Sequence, residues 1–136
     1  MNKYFIAFFA AFISYLILDG TMMYFFTGKL FGSMIQKIQN GKPMKTRIIP
    51  ALLCFIVLAF GIVYFIVDKV RDNHIIEDSL RYGFILGFVI YAVFDLTNYA
   101  IFENYTLAVT IIDILWGSVL AFLVTVITKY VMKIRS

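Results

Sequence analysis

Four stretches of the chain are almost continuously apolar, and the polar residues gather between them. They cover about 4–27, 48–67, 82–102 and 107–128. Each is close to the roughly 20 apolar residues a helix needs to cross a hydrocarbon core about 30 Å thick. The pattern therefore predicts an all-α, polytopic membrane protein: one integral domain over 1–136, its four transmembrane helices in a compact bundle.

Local signals sharpen the four spans. Pro50 falls in the first turn of the second, where its missing N–H costs little, and that span carries no charge. The third carries Asp95, yet also eleven Leu, Ile, Phe and Val residues. At roughly −0.3 to −0.6 kcal/mol each, these outweigh the about 2.5–3.5 kcal/mol cost of one central aspartate. Only Glu103 to Thr106 separate the third span from the fourth, which makes the two antiparallel neighbours. The first run superficially resembles a secretory signal. Leu18, Asp19, Gly20 and Thr21 offer no small-x-small cleavage pattern, and apolar residues continue beyond them, so a true span is expected.

Between the first two spans the periodicity changes. Leu30, Phe31, Met34, Ile35 and Ile38 fall on one side of a helix, with Lys29, Gln36, Lys37 and Asn40 elsewhere, which suggests an interfacial amphipathic helix at about 29–40. Gly41, Lys42 and Pro43 then break the chain. Lys29, Lys37, Lys42, Lys45 and Arg47 make this segment basic and free of acids, suited to contact with lipid headgroups.

Composition excludes several functions. The 136 residues are 62% hydrophobic and only 15% charged, which leaves no room for a separate soluble domain. The net charge of +4 comes from residues at the ends of apolar runs, so the partner expected is the bilayer and not nucleic acid. Cys54 and His74 are each the only residue of their kind. That excludes an internal disulfide and leaves almost no material for a zinc finger or a Ser-His or Cys-His nucleophile. No Gly-rich phosphate loop, haem motif or nucleotide fingerprint is present, so no cofactor is expected. No residue is assigned a catalytic role, and no metal is assigned.

Three acids stand inside the apolar runs: Asp19, Asp95 and Asp113. Asp95 lies seven residues before Phe102 and Asp113 six after Leu107, which at about 1.5 Å per residue puts both roughly 10 Å from the turn. Asp19 falls near the same depth, so the sequence offers three carboxyls at one level. Gly83, Gly87, Tyr91 and Asp95 recur every four residues, with Asn98 three further on. Asp113, Gly117 and Ala121 continue the pattern in the fourth span, with Thr110 three residues before and Thr125 four after. Small residues in line with a polar one mark the face on which membrane helices approach closely. The expected helix-packing positions are accordingly Gly83, Gly87, Gly117 and Ala121. Asp19, Asp95, Asp113, Asn98 and Tyr91 are the candidates for proton or cation binding, and Trp116 falls near the same level. Desolvation and mutual repulsion work against ionising all three acids together, so their titration belongs to the cluster.

The run YAVFDLTNYAIF, Tyr91 to Phe102, followed by VTIIDILWGSVLAF, Val109 to Phe122, resembles a family of small four-span integral membrane proteins of unknown function. That family is marked by a YDLTN box, a short turn and D-x-x-W-G. Asp95, Leu96, Thr97 and Asn98 match the first box, with Phe94 in place of the tyrosine; Asp113, Trp116 and Gly117 match the second. Leu18 and Asp19 resemble the family's first-span motif, and Met22 stands where a tryptophan is usual. The resemblance implies a four-span membrane protein and no established activity.

Three functional readings remain. The first is a proton or cation conduit or carrier using the intramembrane aspartates; so narrow a bundle then calls for a very small permeant or a homo-oligomer. The second is a structural or accessory protein whose polar core fixes helix packing and whose partner is another membrane protein or lipid. The third is an intramembrane aspartyl-type hydrolase with Asp95 and Asp113 as the dyad. Thr110, Ile111 and Ile112 precede Asp113 where an intramembrane aspartyl protease has GxG, which places an enzyme last.

Overall fold

The computed structural model describes residues 2–135, and among them it is helical with no strand. Four helices are long and apolar enough to cross a membrane: α1 Lys3–Ile38, α2 Ile48–Lys69, α3 Ile75–Ile101 and α4 Leu107–Arg135. The protein is a multi-pass integral membrane protein.

The helix ends follow from local chemistry. Asn2 caps α1, its side chain accepting from the Tyr4 N–H at 2.8 Å. At Met23–Thr27 the helix widens to π geometry, and the Gly28 N–H bonds the Met23 carbonyl. A Cβ at Gly28 would collide with that carbonyl, so the wide turn requires glycine there. Gly28–Ile38 then forms the amphipathic helix, continuous with the first span. It stops where Asn40 and Gly41 take left-handed backbone, φ 57° and 92°. Its apolar side, Phe31, Met34, Ile35 and Ile38, packs with Tyr105 and Val109, so part of the face expected to lie on headgroups covers the α3–α4 turn.

Two boundaries differ from the sequence expectation. The third helix begins at Ile75 rather than near Tyr82. Its polar first turns are anchored by Asp78, which accepts from the Arg71 backbone N–H at 2.9 Å and from Nε and Nη2 at 2.8 and 3.0 Å. The fourth runs past Thr128 to Arg135, because a helix that leaves the hydrocarbon need not end there. Its 29 residues span about 43 Å, more than the roughly 30 Å core.

α4 is the axis of the bundle. It packs on α3 along one side and on α1 along another, while α2 lies chiefly against α1. The core is built from Ala7, Ala11 and Tyr15 of α1, Leu58, Ala59 and Ile62 of α2, and Leu120, Ala121 and Val124 of α4. Outward positions such as Ile17, Ile49, Val57, Val93 and Leu115 are exposed and apolar, which lipid tolerates and water would not.

The α3–α4 seam is the closest contact. A Cβ at Gly83 would sit 2.6 Å from Thr125 Oγ1; at Gly87 it would strike the Gly117 carbonyl and Ala121; at Gly117 it would enter the Tyr91 ring. Backbone therefore lies against backbone or ring, the arrangement small residues permit between membrane helices.

Candidate functional site

That seam carries the acids. Asp95 on α3 is fully buried. Tyr105, reaching back from the α3–α4 turn, donates to Asp95 Oδ1 at 2.5 Å. Asp95 Oδ2 is also buried and receives no hydrogen bond among the described residues. The Asp113 carboxyl, buried on α4, stands within hydrogen-bonding reach of Asp95. A hydrogen bond between two carboxyls needs a proton on one of them, because an ionised carboxylate only accepts.

The amphipathic helix holds the turn over this pair. Tyr105 is buried, with its ring edge-on to Phe31 at 6.5 Å, and the Thr106 N–H points at Met34 Sδ at 3.3 Å. Asn98 lies within hydrogen-bonding reach of the Tyr105 phenol. Burial and the bond to Asp95 push the Tyr105 phenol above its ordinary value, so it stays a donor at neutral and mildly alkaline pH.

Asp19 has a partner of its own. The Trp116 indole N–H on α4 donates to Asp19 Oδ1 at 2.9 Å, tying α1 to α4, and Asp19 is only part-buried. No group of three His, Cys, Asp or Glu side chains among the described residues is arranged to hold a metal ion. The three acids at one level thus comprise two neighbouring carboxyls and a third with its own partner.

The other sequence candidates divide. Tyr91 presses its ring on Gly117, one turn before Asp95. Gly83, Gly87, Gly117 and Ala121 meet across the seam. Thr110 turns back to the Thr106 carbonyl at 2.8 Å. Lys29, Lys37, Lys42, Lys45 and Arg47 are all exposed, on or beyond the amphipathic helix. Sequence reasoning treated Tyr105 as part of a connector. The available signal was a hydroxyl-bearing aromatic in a turn only about 10 Å above two buried acids.

Removing only that hydroxyl isolates its contribution. Tyr105→Phe keeps the ring against Phe31 but strips Asp95 Oδ1 of its donor, at an expected cost of about 1–2 kcal/mol. Denaturant unfolding of the purified protein in detergent measures this. An unchanged unfolding free energy would mean the bond contributes nothing.

Four apolar spans bundled around a buried acidic pair define a multi-pass integral membrane protein. Residues 4–130 match the family model described as "Predicted membrane protein (DUF2177)", and the chain belongs to that family. No curated protein and no solved structure matches it.

Proposed function

We propose that this protein binds and releases protons at the Asp95–Asp113 pair and carries them across the membrane as α3 shifts against α4. The observation that supports this most is the fully buried Asp95, held by Tyr105 and beside a second buried carboxyl, with no basic residue at the pair among the described residues. Intramembrane acids of this kind are costly and typically serve proton or ion handling. Two side-by-side carboxyls exchange one proton between them, so the pair favours a proton over a metal cation.

A carrier fits better than an open pore. From the pair toward the chain termini, Tyr91 on Gly117 and Gly87 on Ala121 close the seam without space for a methyl group, let alone a file of water. The nearer exit is the Tyr105 turn, beneath the amphipathic helix. A helix shift on the microsecond-to-millisecond scale would then limit the rate. A homo-oligomer remains part of the reading, since one narrow bundle offers little room for two sided pathways.

The test is an acid step applied to liposomes that contain the purified protein and a trapped pH dye. Asp113→Asn is expected to bring proton entry down to the level of protein-free liposomes. Asp19→Asn should retain most of it, because Asp19 has its own partner in Trp116. Equal loss in both would move the site to all three acids. The hydrogen bonds of Tyr105 and Trp116 also favour a second reading, in which the acids hold the helices in register for an accessory membrane protein. Wild-type liposomes no leakier than empty ones, with Asp113→Leu destabilised, would favour that reading.

A further inference from the structure

A second polar site lies at the opposite end of the bundle. There Lys3 opens α1, Asp68 stands in the last turn of α2, Asp72 lies in the α2–α3 loop, and Lys129, Met132 and Lys133 occupy the last turns of α4. These six residues line a cavity of about 180 Å³. Its fixed point is Lys129, which is 93% buried by its 7% exposure. The Lys129 ammonium donates to the Val67 carbonyl at 3.2 Å and pairs with Asp72 at 3.4 Å. An ammonium has three N–H groups, so these two partners leave one donor for the cavity that Lys129 lines. Tyr4 orders the neighbouring wall: its hydroxyl donates to Asp68 at 3.0 Å and its ring lies 5.1 Å from the Lys3 ammonium.

The lining carries three lysines and two aspartates. The buried Lys129 ammonium, with a donor left for the cavity, suits a phosphate oxygen, and the exposed Lys3 brings a second cation to the rim. Depth selects the source. Lys129 lies 22 residues after Leu107, about 33 Å along α4, just beyond the roughly 30 Å hydrocarbon core and therefore at headgroup level. We propose that this cavity binds the phosphate of an anionic phospholipid, with Lys3 and Lys133 closing over it and Lys129 beneath. The site is independent of the carboxyl pair. It also differs from the basic segment Lys29 to Arg47, which lies at the other end of the bundle.

The test is the thermal unfolding of the purified full chain in detergent, with phosphatidylglycerol, phosphatidylcholine or inorganic phosphate added. Phosphatidylglycerol is expected to raise the midpoint by roughly 4 °C or more, through preferential binding to the folded state. Phosphatidylcholine should do less. Lys3→Gln/Lys133→Gln changes two exposed side chains, spares the buried Lys129, and should remove most of the increment. Lys42→Gln/Lys45→Gln at the other end should retain it. Equal shifts with phosphatidylglycerol and phosphatidylcholine would overturn the proposal, as would an increment lost with Lys42→Gln/Lys45→Gln and kept with Lys3→Gln/Lys133→Gln. Inorganic phosphate matching phosphatidylglycerol would overturn the lipid assignment in favour of a soluble phosphate compound.

Discussion

Gly117→Val is expected to cost about 3 kcal/mol or more and to leave little folded protein, since overpacking a tight core already costs roughly 1–3 kcal/mol. This position exceeds the ordinary case. The first atom of any side chain there falls inside the Tyr91 ring, and the Gly87 backbone packs against the Gly117 carbonyl. Room for a side chain here would require moving the two helices apart, because Gly83 and Gly87 already bring α3 against Thr125, Ala121 and Ser118. Helix propensity works the other way. Glycine is about 1 kcal/mol worse than alanine in a helix interior, so a merely permissive site would gain from Gly117→Ala. The two effects separate in a Tyr91→Ala background. There the obstructing ring is gone, and Gly117→Ala is expected to be neutral or stabilising, whereas in the otherwise wild-type chain it destabilises. Unfolding free energies in detergent for the four combinations provide the check, and additive effects would contradict the packing account.

Asp95→Asn is expected to abolish proton transport while leaving the fold nearly intact. The amide is close to the carboxyl in shape. Its carbonyl oxygen can accept from Tyr105, and its NH₂ can donate toward Asp113, so both neighbours keep a polar partner. A stability change within about 1 kcal/mol follows, the net worth of a typical hydrogen bond. What the amide lacks is an exchangeable acid proton. Asp95→Leu differs: it leaves the buried Tyr105 hydroxyl without its acceptor and Asp113 without its neighbour. It is expected to cost about 1–3 kcal/mol as well as transport. The contrast matters because a polar core that served only to align helices would tolerate Asp95→Asn in every assay.

The four spans were legible because a bilayer makes the same demand of every crossing residue, and runs of about 20 apolar residues answer it. The faces of α3 and α4 were legible too. Gly83, Gly87, Tyr91 and Asp95 at four-residue intervals lie on one side of a helix, and Gly117 and Ala121 oppose them. Helix ends were less so. The lipid criterion is silent outside the hydrocarbon, where Arg71 and Asp78 start α3 early and α4 continues through Lys129. Depth along a helix was readable from residue counts, but partnership across helices was not. That is why neither the Trp116 bond to Asp19 nor the return of Tyr105 to Asp95 shows in the sequence pattern. A side chain that folds back from a turn leaves no periodic trace.

The most direct test of the central claim is proton entry into liposomes after an acid step, comparing wild type with Asp95→Asn at matched protein content and verified insertion. The account predicts entry above that of empty liposomes for the wild type, insensitive to replacing external sodium by potassium, and none above background for Asp95→Asn. Entry by Asp95→Asn at the wild-type rate would contradict it.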